Sequence, residues 1–195
     1  MIDPARPESG AEMDDAALME RIAAGDAAAF AAMLDRYMNA VFCFSYALLK
    51  DAALAEDITQ ETCLRLWNNA GQWQRGGAVK SWLLRVAHNA CIDEIRRRKP
   101  HVNLDAADHI LPPSVDGKIA AIQGQAIADL VMKGLLAIPD RQKTALMLVY
   151  YSECTNGEAA QIMGVSVEAL ESLLARGRKA LKGVLEPCKT DLLEG

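Results

Sequence analysis

Apolar residues recur at intervals of three and four through most of the chain, which is the spacing of amphipathic helices. No convincing segment alternates apolar and polar residues as a half-buried strand would. The spacing predicts one or two helices over 15–49, interrupted at Gly25 and restarted by Asp26 as a cap. Further helices are predicted over 51–69, beginning at Asp51, and over 78–98. These elements indicate a helical bundle in the first half of the chain.

A stretch without helical spacing separates this half from the next. Residues 100–118 contain three prolines and scattered acids, which is the composition of a linker. Helical spacing resumes over 119–186, with breaks expected at 138–139, around 152–156, at Gly164 and at Pro187. We therefore expect an all-α protein with two small helical domains, 15–99 and 119–187, a flexible linker between them, a flexible N-terminus over 1–14 and a tail over 188–195.

The second half contains the pattern of a helix-turn-helix. Thr155 and Glu158 have the spacing of a capping box, which predicts a short helix over 156–163. Gly164 can adopt the left-handed backbone of a tight turn, and Ser166 then caps a second helix. The predicted buried stripe of that helix is Val167, Leu170, Leu174, Gly177 and Leu181, and its polar outer face is Glu168, Ser172, Ala175, Arg176 and Lys179. The pattern fits a DNA-reading unit, although any helical hairpin in a bundle can share it.

The helix over 51–69 has two distinct faces. Leu54, Ile58, Thr62 and Leu66 lie four residues apart and are expected to pack inward. Asp57, Gln60, Glu61 and Leu64 fall together on another face. Acids, an amide and one leucine suit a protein interface with a polar rim, and a solvated helix face is the alternative.

The loop before residue 78 and the helix after it carry groups suited to an unpaired base. The loop offers one aromatic ring, two amides and a cation, from Trp73, Gln72, Gln74 and Arg75. On the helix, Asn89 lies beside a predicted buried stripe of Val79, Leu83, Val86 and Ala90, and its amide can both donate and accept. The alternative for Trp73 and Trp82 is a place in the core, and His88 is expected at the surface.

Composition alters this picture in one respect. The chain has 195 residues, 24% of them charged and 51% hydrophobic, and a net charge of −5. Two groups of cations stand out from the acidic average, and binding depends on local field rather than on net charge. The first basic cluster is Arg96, Arg97, Arg98 and Lys99, and the second is Arg176, Arg178, Lys179 and Lys182.

Several classes of function find no support in the sequence. No apolar run is long enough to span a bilayer, and the N-terminus lacks a signal pattern, so we expect no membrane insertion. The five cysteines include no C-x-x-C pair, which favours free thiols and a cytoplasmic location. No phosphate loop, metal cluster or nucleophile constellation points to an enzyme, a cofactor or a small-molecule substrate.

Taken in order, four segments resemble a known family. "AAGDAAAFAAMLDRY", "AEDITQETCLRLW" and "KSWLLRVAHNACIDEIRRRKP" are similar to region two of the extracytoplasmic-function (ECF) sigma factors of the sigma-70 family. "AIPDRQKTALMLVYYSECTNGEAAQIMGVSVEALESLLARGRKAL" is similar to region four. The resemblance implies an alternative sigma factor that binds core RNA polymerase and promoter DNA, and is held inactive by an anti-sigma factor.

The resemblance also implies roles for individual residues. Binding to core polymerase would fall to Asp57, Gln60, Glu61 and Leu64. Capture and contact of the downstream (minus-ten) promoter element would fall to Gln72, Trp73, Gln74, Arg75, Asn89, Arg96, Arg97, Arg98 and Lys99. Reading of the upstream (minus-thirty-five) element would fall to Glu171, Ser172, Ala175, Arg176 and Lys179.

One departure from the family concerns the reader helix. The family commonly has cations at the positions of Glu171 and Leu173. Glu171 should repel the DNA backbone, but a glutamate can also accept from cytosine N4 and so alter sequence preference. Leu173 could instead contact a protein. Two other functions therefore stay open: a sigma-like decoy that binds an anti-sigma factor, and a two-domain helix-turn-helix regulator.

Overall fold

The computed structural model describes residues 14–73, 78–98 and 122–193, with side chains except those of 122–129 and 187–193. Within these ranges every regular element is helical, which confirms the predicted all-α class. The helices of the first module are α1 (Asp15–Ala23), α2 (Ala27–Leu49), α3 (Ala52–Asn69) and α4 (Val79–Arg98). Those of the second module are α5 (Ile122–Ala137), α6 (Asp140–Leu146), α7 (Asn156–Met163) and α8 (Val167–Leu193).

Local capping determines where the helices of the first module begin. The Asp26 carboxylate accepts from the backbone N–H groups of Ala28 and Ala29, at 2.9 and 3.1 Å. The Asp51 carboxylate accepts from Leu54 N–H at 3.2 Å. Both carboxylates satisfy donors that the first helical turn leaves unpaired, so the predicted cap at Asp26 and the predicted start of a helix at Asp51 are confirmed.

The second module contains the predicted helix-turn-helix. Thr155 and Glu158 form a reciprocal capping box at the start of α7. Gly164 ends α7 in the left-handed conformation, with φ 62°, and Ser166 Oγ accepts from Ala169 N–H at the start of α8. A π-helical turn, Met147–Tyr151, leads from α6 toward this unit.

The break predicted at Pro187 is wrong, because α8 continues to Leu193. A proline inside a helix removes its own N–H donor and crowds the carbonyl four residues before it, but packing can hold the helix together around it. Leu181 and Leu185 lie so close to Gly134 of α5 that a Cβ there would sit 2.8 and 3.0 Å from their methyl carbons. This close contact between α5 and α8 anchors the helix just before the proline.

The buried stripe of α4 differs in phase from the predicted one. Val79, Leu83, Ala87 and Cys91 are buried, whereas the predicted Val86 and Ala90 are only half-buried. In α8, Leu170, Leu174 and Gly177 are buried and Leu181 is half-buried, but Val167 is 40% exposed. These phases decide which side chains of the two helices face outward.

The two modules pack against each other, which the sequence did not predict. α4 contacts α7, and α5 and α6 contact α2. Leu136 of α5 joins a small buried cluster with Tyr46 of α2 and Ala55 of α3. The predicted linker, 100–118, lies outside the described residues.

Candidate protein-binding and nucleic-acid-binding surfaces

The outer face of α3 carries the predicted interface residues. Asp57, Gln60, Glu61 and Leu64 are all exposed, and Leu64 is the most exposed large apolar side chain of this face at 64%. On the opposite face Ala55, Ile58, Thr62 and Leu66 are buried, while Leu54, which was expected there, is half-buried. The buried residues fix the helix, so the outer face is a rigid surface of acids around an apolar centre.

Trp67 extends this face and was missed by sequence reasoning. It is 39% exposed, and its ring meets Phe30 of α2 edge-on at a centroid distance of 5.0 Å. Its spacing of three residues from Leu64 is the signal that could have identified it. Exposed aromatic rings held by an aromatic neighbour are common anchors of protein interfaces.

The structure describes part of the loop proposed to hold a base. Gln72 is exposed, whereas Trp73 is half-buried against the core, with its indole Nε1 buried and without a hydrogen-bond partner. Gln74 and Arg75 lie outside the described residues. Trp82 is also half-buried against the core, in agreement with the alternative considered for it. The Trp73 ring therefore has one side in the core.

Asn89 is an exposed residue of α4 that borders two clefts. One cleft, of about 670 Å³, lies between α4 and the second module, where Arg96 faces Arg141 and Gln161. The other, of about 330 Å³, lies between α3 and α4 and includes Asp57. The amide is therefore exposed between the two clefts.

His88 is not the surface residue that the sequence suggested. It is half-buried beside Phe44, with ring centroids 6.4 Å apart, and its Nδ1 is buried without a partner. Burial lowers the pKa of His88. The shifted phase of α4 turns residue 88 toward α2 and explains the error.

The first basic cluster is extensively paired with acids. Arg98 donates to Glu94 Oε1 at 2.9 Å and to Asp51 Oδ2 at 3.0 Å, and Arg97 pairs with Glu94 as well. Arg96 lies 3.5 Å from Asp93. Lys99 lies outside the described residues. The acids three and four residues before each arginine were a sequence signal for these pairs.

Arg98 connects two helices through this network. Asp51 caps α3, so the Arg98–Asp51 pair ties the end of α4 to the start of α3. Burial is the largest single influence on the pKa of Asp51 and raises it, but the hydrogen bond from Arg98, the backbone N–H groups that Asp51 caps and the Arg98 charge together outweigh burial, so the pKa is lowered. Glu94 itself is buried, so its two arginine partners satisfy a carboxylate that would otherwise be costly.

The residues predicted for the outer face of α8 are exposed. Glu168, Glu171, Ser172, Ala175, Arg176 and Lys179 are all exposed. Leu173 is only 7% exposed and belongs to the core, so it is not available to a protein partner or to DNA. Asn156 Nδ2 of α7 approaches Glu171 Oε1 at 3.5 Å, and Arg176 Nε donates to the Ser172 carbonyl at 3.2 Å.

Polar contacts join the start of α4 to α7. Ser81 Oγ donates to Glu158 Oε1 at 2.6 Å, and Arg85 Nη2 donates to Gln161 Oε1 at 3.3 Å. The other oxygen of Glu158 accepts from Thr155 N–H at 2.9 Å, within the capping box. The hydrogen bonds from Ser81 and then from Thr155 lower the pKa of Glu158. One carboxylate therefore caps α7 and holds it against α4.

The described part of the chain gives no support to other classes of site. There, no group of three or more His, Cys, Asp or Glu side chains is arranged to hold a metal ion. None of the described helices is long and apolar enough to cross a membrane. The cysteines whose side chains are described, Cys43, Cys63, Cys91 and Cys154, are free thiols.

Comparison with known proteins gives two family matches and several relatives. Residues 33–101 match sigma-70 region 2, and residues 128–181 match sigma-70 region 4. The ECF RNA polymerase sigma factor SigM of Bacillus subtilis is 34% identical over 149 residues, covering 76% of this chain and 90% of the relative. SigW of the same organism is 28% identical over 179 residues, covering 84% and 92%.

Two solved structures share the fold, each with a TM-score of 0.64. CnrH in complex with the cytosolic domain of CnrY is 19% identical and covers 89% of this chain and 97% of that chain. The sigma factor RpoE of Bartonella quintana, in complex with the anti-sigma factor NepR, is 24% identical and covers 80% and 96%. With both regions matched in order and a relative above 30% identity over most of both chains, this protein belongs to the ECF group of the sigma-70 family.

Proposed function

We propose that this chain is an alternative sigma factor that docks on core RNA polymerase and then recognises and melts specific promoters. The exposed face of α3 carries the proposal, because a simple DNA-binding regulator has no need of it. Asp57, Gln60, Glu61 and Leu64 lie together on that face, inside the segment that matches region 2. Family membership supports a transcription initiation factor rather than an enzyme.

Docking of polymerase on α3 follows from the chemistry of that face. Leu64 and Trp67 supply apolar area, and the carboxylates of Asp57 and Glu61 form a charged rim. Such a surface suits a partner with an apolar patch surrounded by cations. Arg65 pairs with Glu61 at 2.5 Å and limits the charge of the rim, which leaves Asp57 as the acid in our test.

Contact with the downstream element is assigned to α4 and the loop before it. Asn89 would read a base edge, and Gln72, Trp73, Gln74 and Arg75 would hold a flipped base. Opening DNA costs a few kcal/mol per flipped base, which stacking and edge contacts recover. Arg96, Arg97, Arg98 and Lys99 would lie along the phosphates beside this site.

Contact with the upstream element is assigned to α8. Its first turns follow the Gly164 turn and carry exposed polar residues, as in a helix that enters the major groove. Glu171, Ser172 and Ala175 would face base edges, and Arg176 and Lys179 would face phosphates. Both promoter elements would then be contacted by one chain.

Regulation by an anti-sigma factor is part of the proposal. Two proteins that share this fold are seen in complexes with a partner, one of them described as an anti-sigma factor. In this chain the open cleft between α4 and the second module is the surface that such a partner would cover. The chain would act in the cytoplasm, and the bound partner would keep it from core polymerase until the partner is removed.

In vitro transcription with core polymerase tests the proposal. The wild-type chain should direct specific transcripts, which neither a decoy nor a repressor would do. A variant with Asp57→Ala and Gln60→Ala should bind core polymerase about tenfold more weakly, because loss of the Asp57 charge and the Gln60 amide together should cost about 1.4 kcal/mol of binding free energy. Asp35→Ala, which removes one exposed carboxylate from α2, is the charge-matched control.

The outcomes separate the alternatives. Absence of any specific transcript would contradict the proposed function. Transcription with unchanged polymerase affinity in the Asp57/Gln60 variant would leave the function in place and remove the docking assignment. Equal weakening by Asp35→Ala would indicate a general effect of charge rather than a docking face.

A further inference from the structure

We infer that Glu171 determines sequence specificity by selecting a cytosine in the upstream promoter element. The inference rests on the proposed function and adds the identity of a base to it. The features that carry it are the position of Glu171 on α8, the burial of its neighbour Leu173, and the contact with Asn156.

Position on α8 makes Glu171 a base-reading residue. Ser166 caps the helix, so α8 begins at Val167 and Glu171 lies in its second turn. In a helix-turn-helix the first turns of the second helix contact base edges. Glu171 is exposed on this part of the helix.

Few other residues in the first turns of α8 can contact base edges. Leu173 is buried, so it makes no contact with a base here. Arg176 and Lys179 come five and eight residues after Glu171, which is roughly 7 and 12 Å farther along the axis. Those cations are placed for phosphates, where they offset the repulsion between Glu171 and the DNA backbone.

Glu168, the other exposed acid of these turns, is engaged at the start of the helix. Hydrogen bonds from its own backbone N–H and from Ser166 lower the pKa of Glu168. A carboxylate held at a helix N-terminus caps the helix and interacts favourably with its dipole. Glu168 is thus occupied with the helix itself, and Glu171 is the acid that projects from the second turn.

Asn156 lies beside the Glu171 carboxylate. Its Nδ2 approaches Oε1 at 3.5 Å, so this oxygen faces α7 and the other oxygen is left for a ligand. An ionised carboxylate only accepts hydrogen bonds. In the major groove guanine offers acceptors alone, whereas cytosine offers the N4 amino group that glutamate recognises. The arrangement therefore favours cytosine and disfavours guanine on the contacted strand.

A selection experiment on holoenzyme tests this inference. Core polymerase loaded with the full chain would transcribe templates with a randomised upstream element, and sequencing of the transcribed templates would give base preferences. The wild type should favour cytosine about tenfold at one position. Glu171→Ala should remove the preference at that position alone. Glu171→Gln should shift it toward adenine, because glutamine pairs with adenine N6 and N7.

A matched control and the contrary outcomes complete the design. Glu186→Gln makes the same change at an exposed site of the same helix, fifteen residues farther on, and should leave all preferences unchanged. Preferences that survive both Glu171 substitutions would overturn the inference, as would a wild-type preference for guanine at the affected position. Transcription without dependence on the upstream element would overturn it while sparing the proposed function. Absence of all transcription would overturn both.

Discussion

The two basic clusters look alike in the sequence and differ in the structure. In the first cluster Arg96, Arg97 and Arg98 each pair with a carboxylate. In the second, Arg176 donates to a backbone carbonyl and Arg178 to the Tyr150 hydroxyl. Among the described side chains of that second cluster, no ion pair with a carboxylate is present.

The difference shows that a count of cations does not measure attraction for nucleic acid. Acids beside the first cluster cancel much of its local field, and Arg98 is committed to joining α4 to α3. The second cluster keeps its field, although Glu171 lies on the same helix face. We therefore expect the first cluster to contribute more to stability and the second to contribute more to the electrostatics of DNA binding.

The largest effect that follows from this comparison is on stability. Arg98→Ala should lower the free energy of unfolding by about 2 kcal/mol, because it removes hydrogen bonds to a buried and a capping carboxylate. Arg96→Ala should change it by less than about 0.5 kcal/mol, because Arg96 and Asp93 are both exposed. Urea unfolding of the full chain measures both values. Equal losses in the two variants would contradict the structural role of Arg98.

An intermediate effect is expected on the salt dependence of promoter binding. Replacing Arg176 and Lys179 by alanine should flatten the log–log salt slope of holoenzyme binding by up to about two units, nearly one for each phosphate that is no longer neutralised. The matched replacement of Arg96 and Arg97 should change the slope by less than about one unit, because their carboxylate partners already neutralise them. If the Arg96/Arg97 replacement changed the slope more than the Arg176/Lys179 replacement, the ion pairs of the first cluster would have to break when DNA binds. That result would contradict the comparison.

The smallest effect concerns Glu158, whose carboxylate accepts a hydrogen bond from the neutral hydroxyl of Ser81. Ser81→Ala should lower stability by about 1 kcal/mol, the value of one hydrogen bond, at pH values above the usual glutamate range. The pKa of Glu158 is lowered, so this contribution should be lost as pH falls through the folded-state pKa. Urea unfolding from neutral to acidic pH measures the difference, and Ser172→Ala, at an exposed site, is the control. A difference that does not depend on pH would exclude the Ser81–Glu158 bond as its source.

The parts of the fold that were predictable are those that short segments determine. The caps at Asp26 and Thr155, the start of a helix at Asp51 and the turn at Gly164 depend on residues within four positions, and all four were predicted correctly. The buried stripe of α4 was not predicted correctly, because apolar residues have helical spacing along both the predicted stripe and the observed one through Ala87 and Cys91. Packing against α2 determines which of the two stripes is buried, and the spacing of apolar residues alone does not show this.

Among the site residues too, those set by a local pattern were predictable and those set by packing between helices were not. The outer face of α3 was predictable because its buried and exposed residues separate cleanly by spacing. Burial of Leu173 and half-burial of His88 depend on contacts with other helices, and no local pattern indicates the packing between α4 and α7. The loop residues Gln74 and Arg75, and Lys99 after α4, stay predictions because they lie outside the described residues.

The sharing of Glu158 between two partners separates the capping of α7 from its contact with α4. If α7 moves away from α4, Glu158 exchanges Ser81 for water and keeps Thr155 as its partner in the capping box. Each exchanged hydrogen bond changes the free energy by only about 1 kcal/mol, since water replaces the departing partner. The capping box at the start of α7 is therefore complete within the helix-turn-helix and does not depend on the contact with α4.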